Sequence, residues 1–168
     1  SMTYTIADTA GATDTNTIDI LCEPETAAIR VWDGGGTDQF WTTPENWSGD
    51  KLPAETDNVR FDGTTTKPCT LDTDAAVHAL TIKDSYKGCV DFANATLTIT
   101  GNLDLSQYAH LSDTAGLSIL CIANAPQTIS GPYYFPAKTI ENNKSGSTLS
   151  FGASSFDIDT FICAAGTT

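Results

Sequence analysis

From Asn58 onward the chain is a succession of short runs in which apolar and polar residues alternate, separated by turns carrying Gly, Asn, Asp or Thr. The runs fall at residues 58–63, 69–72, 77–82, 89–92, 97–99, 103–105, 117–122 and 127–131. Period-2 alternation over a few residues, rich in Val, Ile, Leu and Thr, predicts half-buried β-strands. No window sustains the 3.6-residue period of a helix, so helix is expected only as a turn near Pro44 to Trp47. An earlier run, Thr17-Ile18-Asp19-Ile20-Leu21, predicts one further strand, which Pro24 breaks.

The strand series also recurs. The stretch LTIKDSYKGCVDFANATLTITGNLDLS, from Leu80 to Ser106, has a loose second copy from Lys138 to Ala165. In each copy a strand leads through a polar turn ending in Gly88 or Gly146 to a second strand, then to a third and a fourth. Repetition with a ~20-residue unit predicts stacked coils. The expected fold is all-β: a short right-handed parallel β-helix of roughly five or six ~20-residue coils. Expected inward residues are Leu80, Ile82, Val90, Phe92, Leu97, Ile99, Leu103, Leu105, Ile119, Ile140, Leu149, Phe151 and Ile158. A β-sandwich or jelly roll is the alternative, because it too is built from short alternating strands. Residues 1–28 read as an arm or linker, and 29–168 as the β-helix domain, with 29–56 as its N-terminal cap.

That cap has a different character. Val31-Trp32-Asp33-Gly34-Gly35-Gly36-Thr37-Asp38, Phe40-Trp41 and Pro44-Glu45-Asn46-Trp47 place all three tryptophans within sixteen residues, beside a triple glycine. Two readings follow. Trp32, Trp41 and Trp47 can stack on sugar rings while Asp33, Asp38 and Asn46 bond hydroxyls. Alternatively the indoles plug the open apolar end of a solenoid. A second aromatic cluster, Pro132-Tyr133-Tyr134-Phe135-Pro136, is bracketed by prolines and predicts a protruding loop, with Tyr133 and Tyr134 as further candidate glycan contacts. The chain stops at Gly166-Thr167-Thr168 directly after a strand and without a cap, which predicts that the parent polypeptide continues.

Charge narrows the partners. Eight Lys and Arg against 21 Asp and Glu give a formal charge of −13, which opposes binding to nucleic-acid phosphates. No apolar run approaches the ~20 residues that span a bilayer, so this segment is not expected to insert into a membrane. The five cysteines, Cys22, Cys69, Cys89, Cys121 and Cys163, lack CxxC spacing. Cys89, Cys121 and Cys163 read as small buried hydrophobes, and Cys69 and Cys89, one coil apart, as a pair able to stack and oxidise.

Catalytic constellations are sought among the acids. Asp157 and Asp159 share a strand face, with Asp91 and Asp104 as possible neighbours, in the manner of paired carboxylates that cleave polysaccharides. Against this, outward Asp commonly serves solubility, and His78 and His110 stand alone without a Ser-His-Asp or HExxH arrangement. Asp72-Thr73-Asp74 and the Asp33/Asp38 loop offer hard oxygens to Ca2+, but they reproduce no known calcium loop and also suit Asp-led turns. The expectation is a protein without cofactor and without catalysis.

Taken together, Trp32-Asp33-Gly34-Gly35-Gly36-Thr37, Trp41, Asn46-Trp47-Ser48, Leu52-Pro53, Asp57 and Val59-Arg60-Phe61-Asp62-Gly63, with the later Leu-Thr-Ile and Thr-Gly-Asn-Leu-Asp-Leu pieces, resemble bacterial surface proteins with autotransporter-associated β-strand repeats. The resemblance runs from Val31 to the C-terminus. It implies a passenger, stalk or adhesive segment of a larger extracellular or cell-surface protein, whose partners are glycans or other surface proteins. The alternatives are a carbohydrate-binding module and a phage or virion fibre component. The cysteines depart from such sequences, which more often place Val, Ala or Thr inward.

Overall fold

The computed structural model describes residues 2–7, 13–18, 27–107, 116–122, 125–131, 135–144, 147–152 and 156–163. In chain order its strands are β1 (Met2–Ala7), β2 (Thr13–Ile18), β3 (Ile29–Val31), β4 (Asn58–Phe61), β5 (Cys69–Thr70), β6 (Ala75–Val77), β7 (Ala79–Ile82), β8 (Val90–Asp91), β9 (Thr96–Ile99), β10 (Leu103–Asp104), β11 (Ser118–Cys121), β12 (Gln127–Ser130), β13 (Phe135–Asn142), β14 (Leu149–Phe151) and β15 (Phe156–Cys163). A 3-10 turn lies at Pro44–Asn46, where it was expected, and the described residues contain no α-helix.

β1 and β2 pair antiparallel as a hairpin. Every other strand pairing among the described residues is parallel. β3, β4, β7, β10, β12 and β14 stack side by side as one sheet, β6, β9, β11, β13 and β15 as a second, and β5 and β8 form a third face. This is the right-handed parallel β-helix predicted from the strand series, but it winds about four turns, from β4 to β14, and not the five or six expected. An antiparallel sandwich or jelly roll is ruled out by the parallel ladders.

Register explains the core. Val59 lies beside Leu80, Leu80 beside Leu103, and Leu103 beside Ile129. On the second sheet Leu97, Ile119 and Ile140 form one inward row, and Val77, Ile99, Cys121 and Asn142 another. Because side chains alternate faces, a coil that advances its register by whole rungs keeps the same apolar set inside. The outward rows carry Thr, Ser and charged residues, such as Arg60, Thr81, Asp104 and Ser130.

Most expected core positions are buried, but the last rung is not. Phe151 is 39 % exposed and Leu149 and Ile158 only partly buried, because β14 and β15 are the terminal strands of their sheets among the described residues. Phe151 instead packs edge-on against Phe161 at 6.0 Å. The supposed second copy is also out of phase. β7, which opens the first copy, lies in the six-stranded sheet, whereas β13, which opens the second, lies in the five-stranded one. The third and fourth strands expected of that copy are one strand, β15. Phe135 and Pro136, expected in a loop, begin β13, while Tyr133 and Tyr134 lie outside the described residues.

The cysteines follow the same alternation. Cys69 pairs with Val90 and not with Cys89, so Cys69 points inward and Cys89 outward, and no disulfide forms among the described cysteines. Cys89 and Cys163, expected inside, are exposed. Burial pushes the Cys69 thiol well above its ordinary pKa and that of Cys121 up to about 11. Native protein treated with maleimide is therefore expected to label at Cys89 and Cys163 within minutes, with Cys69 and Cys121 reacting only after denaturation; peptide mapping reads the result. Likewise Leu103→Ala should cost about 2–5 kcal/mol in urea titration, whereas Phe151→Ala should cost well under half of that.

Candidate functional site

The densest chemistry in the molecule lies in the cap. β3 enters it through a two-way pairing: Val31 N–H donates to Ser48 Oγ at 3.0 Å and Ser48 N–H to the Val31 carbonyl at 2.8 Å. An antiparallel bridge then sets Trp32 against Trp47. The Trp47 ring sits 5.1 Å from Trp32, 4.6 Å from Trp41 and 5.9 Å from Phe61 between centroids, mostly edge to face. Phe61 continues to Tyr86 at 5.3 Å, which carries the cluster into the next coil. The polar handles of three of these rings are satisfied: Trp32 Nε1 donates to the Lys67 carbonyl, Trp47 Nε1 to the Trp41 carbonyl, and the Tyr86 hydroxyl to the Lys67 carbonyl.

Around this cluster the loop is organised by Asn46, which is fully buried. Its Nδ2 donates to the Asp38 carbonyl and Oδ1 and to the Phe40 carbonyl, at 3.1 to 3.2 Å. Its Oδ1 accepts from Gly36 N–H and from Lys67 Nζ, both at 3.1 Å. Lys67 Nζ also donates to the Gly34 and Gly36 carbonyls. Glycine is required here by space as well as by backbone angle. Gly34 has φ +69°, but a Cβ on Gly35 would lie 2.6 Å from the Glu45 carbonyl and one on Gly36 2.9 Å from Asn46 Oδ1.

A second polar centre, Asp57, is fully buried at the corner where β3 meets β4. Its carboxylate accepts from Ala28 N–H at 2.8 Å, Ala54 N–H at 3.1 Å and Arg30 Nε at 3.0 Å. Burial alone would raise the Asp57 pKa; the two backbone N–H groups and the Arg30 guanidinium outweigh it and hold the carboxyl below its ordinary value. A third lies at the other end of the helix. Lys144, almost completely buried, donates to the Ala125 carbonyl and to Gln127 Oε1, while Gln127 Nε2 donates to the Ile99 and Gly101 carbonyls. Desolvation lowers the Lys144 pKa.

The tryptophan part of the expected sugar platform is therefore absent, while Tyr133 and Tyr134 lie outside the described residues. Trp32 and Trp47 have no exposed surface and Trp41 only 4 %, so none presents a face for stacking, and the plug reading of the cap is the one realised. Asp33 and Asp38 turn inward on their own loop, accepting from Gly35 N–H and Phe40 N–H. The Thr43 hydroxyl and Phe40 N–H hold the Asp38 carboxyl below its ordinary value. Asp72 bonds Thr42, Asp74 bonds Thr96 N–H, and no cluster of three or more metal-ligating side chains occurs among the described residues. The supposed acid/base group is dispersed, with Asp157 and Asp159 on the second sheet, Asp104 on the first and Asp91 on the third face.

Sequence reasoning missed one concavity, an open groove of about 420 Å3 lined by Ala27, Glu55, Thr56, His78 and Thr100. His78 Nδ1 and Thr100 Oγ1 are 2.9 Å apart across adjacent coils. Only the coil register brings these residues together. Asp57→Asn tests the corner. Breaking a buried pair should cost about 3 kcal/mol at neutral pH. Since the folded carboxyl has a lowered pKa, its contribution is present above the unfolded value near ~3.9 and is lost as pH falls through the folded one. Urea titrations should thus show wild type approaching the variant's stability as the pH drops below ~4. No protein family, curated protein or solved structure matches this chain.

Proposed function

We propose that the chain is a non-catalytic structural or adhesive β-helix module of a larger bacterial surface or secreted protein. The observation that carries this reading is the use of the cap: its three tryptophans, Asn46 and the triple glycine are consumed in sealing the coil stack. The polar groups at the cap's centre are bonded to the protein's own backbone and side chains. Among the described residues the outward strand rows carry mainly Thr, Ser and charged residues, and the acids that would do hydrolysis are spread over three faces. The formal charge of −13 suits a module that stays hydrated and extended. The resemblance of the cap and strand motifs to repeat-rich surface proteins points the same way.

Protease shaving of intact cells producing the full-length protein tests the location. Release of peptides from this segment before lysis is the expected outcome; release only after lysis overturns it. In parallel, the purified chain should liberate no reducing ends from a panel of acidic polysaccharides, and turnover of any of them would remove the non-catalytic part of the reading.

A further inference from the structure

Lys67, Asn46 and Asp38 bring an amine, a carboxamide and a carboxylate into one hydrogen-bonded chain, and the geometry points to an intramolecular Lys67–Asn46 isopeptide bond. Lys67 Nζ lies 3.1 Å from Asn46 Oδ1, which sets the amine beside the Asn46 Cγ. On the other side of the same carboxamide, Nδ2 is 3.2 Å from Asp38 Oδ1. Asn46 has no exposed surface and is pinned by bonds from both ends of its amide, while the Gly34 and Gly36 carbonyls hold the Lys67 amine in place. A nucleophile held by hydrogen bonds beside a fully buried carboxamide meets the condition under which positioning replaces much of a catalyst's work.

The step balances without an external reagent. Lys67 Nζ passes one ammonium proton to the Asp38 carboxylate and attacks Asn46 Cγ, and the C–N bond to Nδ2 breaks. Asp38 hands that proton, and then the second one shed by Nζ, to Nδ2, which leaves as ammonium, so that the carboxylate ends ionised as it began. The new secondary amide joins the cap loop to the segment between β4 and β5 across 21 residues. The cross-link does not depend on the module's cellular role and stands or falls on mass alone.

Intact-mass spectrometry of the purified, denatured chain is the experiment. The expected result is a mass below that of the sequence by one ammonia, with a tryptic species joining residues 31–51 to residues 61–83. Lys67→Arg should restore the full mass, and Asp38→Ala should retain it in protein that is still folded by circular dichroism. A wild-type chain at full sequence mass, with those two peptides running separately, overturns the proposal, and so does an ammonia loss confined to a single peptide, which is the mark of a succinimide. Cross-linking in Asp38→Ala at the wild-type yield would overturn the role given to Asp38. The wild-type measurement decides the bond even if neither variant folds.

Discussion

The packing of Trp47 is the contact on which the rest of the solenoid depends. A coil stack exposes an apolar cross-section at each end, and here the N-terminal section is closed by one indole that touches Trp32, Trp41 and Phe61 at once. Phe61 belongs to β4, the first strand of the regular winding, so the cap and the first coil share one aromatic cluster. Aromatic pairs of this kind add about 0.5–1.5 kcal/mol each beyond area burial. The indole N–H groups of Trp32 and Trp47 each reach a backbone carbonyl, so this bulk is buried without leaving a polar atom behind.

Sealing the end this way forces polar groups inside, and Asn46, Asp57, Lys144 and Gln127 each have dedicated partners. Asn46 supplies the missing donors and acceptors of a loop that makes no ladder of its own. Asp57 does the same at the corner between β3 and β4, binding two backbone N–H groups and Arg30. Near the other end, Lys144 and Gln127 bond carbonyls of neighbouring coils, including Ile99 and Gly101. Unsatisfied, any of these would cost a desolvation penalty of about 1–3 kcal/mol or more. Satisfied, they fix where each irregular segment crosses between coils, which apolar packing alone, being non-directional, does not do.

The aromatic cap illustrates how one residue set supports two meanings. Trp, Asp, Asn and Gly in a loop-rich stretch are what a sugar site and an end plug both need, because both ask for flat apolar area flanked by hydrogen-bonding groups. Burial separates them, and burial depends on whether Trp32 and Trp47 face the coil interior, which is set by their pairing with each other and with β4. The cysteines show the same limit at smaller scale: Cys69 and Cys89 differ by one residue from a matched register, and that single step sends one thiol inward and the other outward.

The sequence by itself determined the fold class, the positions of most strands, the turn at Pro44–Asn46 and most of the core, because period-2 alternation and turn residues are local signals that burial on one face writes directly into the chain. Asp57 and Asn46 stood out only as members of a motif, with nothing local to mark them as buried hubs. The tertiary structure decided which face each strand joins, hence the phase shift between the apparent repeats, the union of Phe156 and Cys163 in one strand, the exposure of Phe151, and the meetings of Lys67 with Asn46 and of His78 with Glu55 along one groove. Those facts depend on which residue lies one coil above another, and register between coils is a sum over many weak contacts that no short stretch of sequence contains.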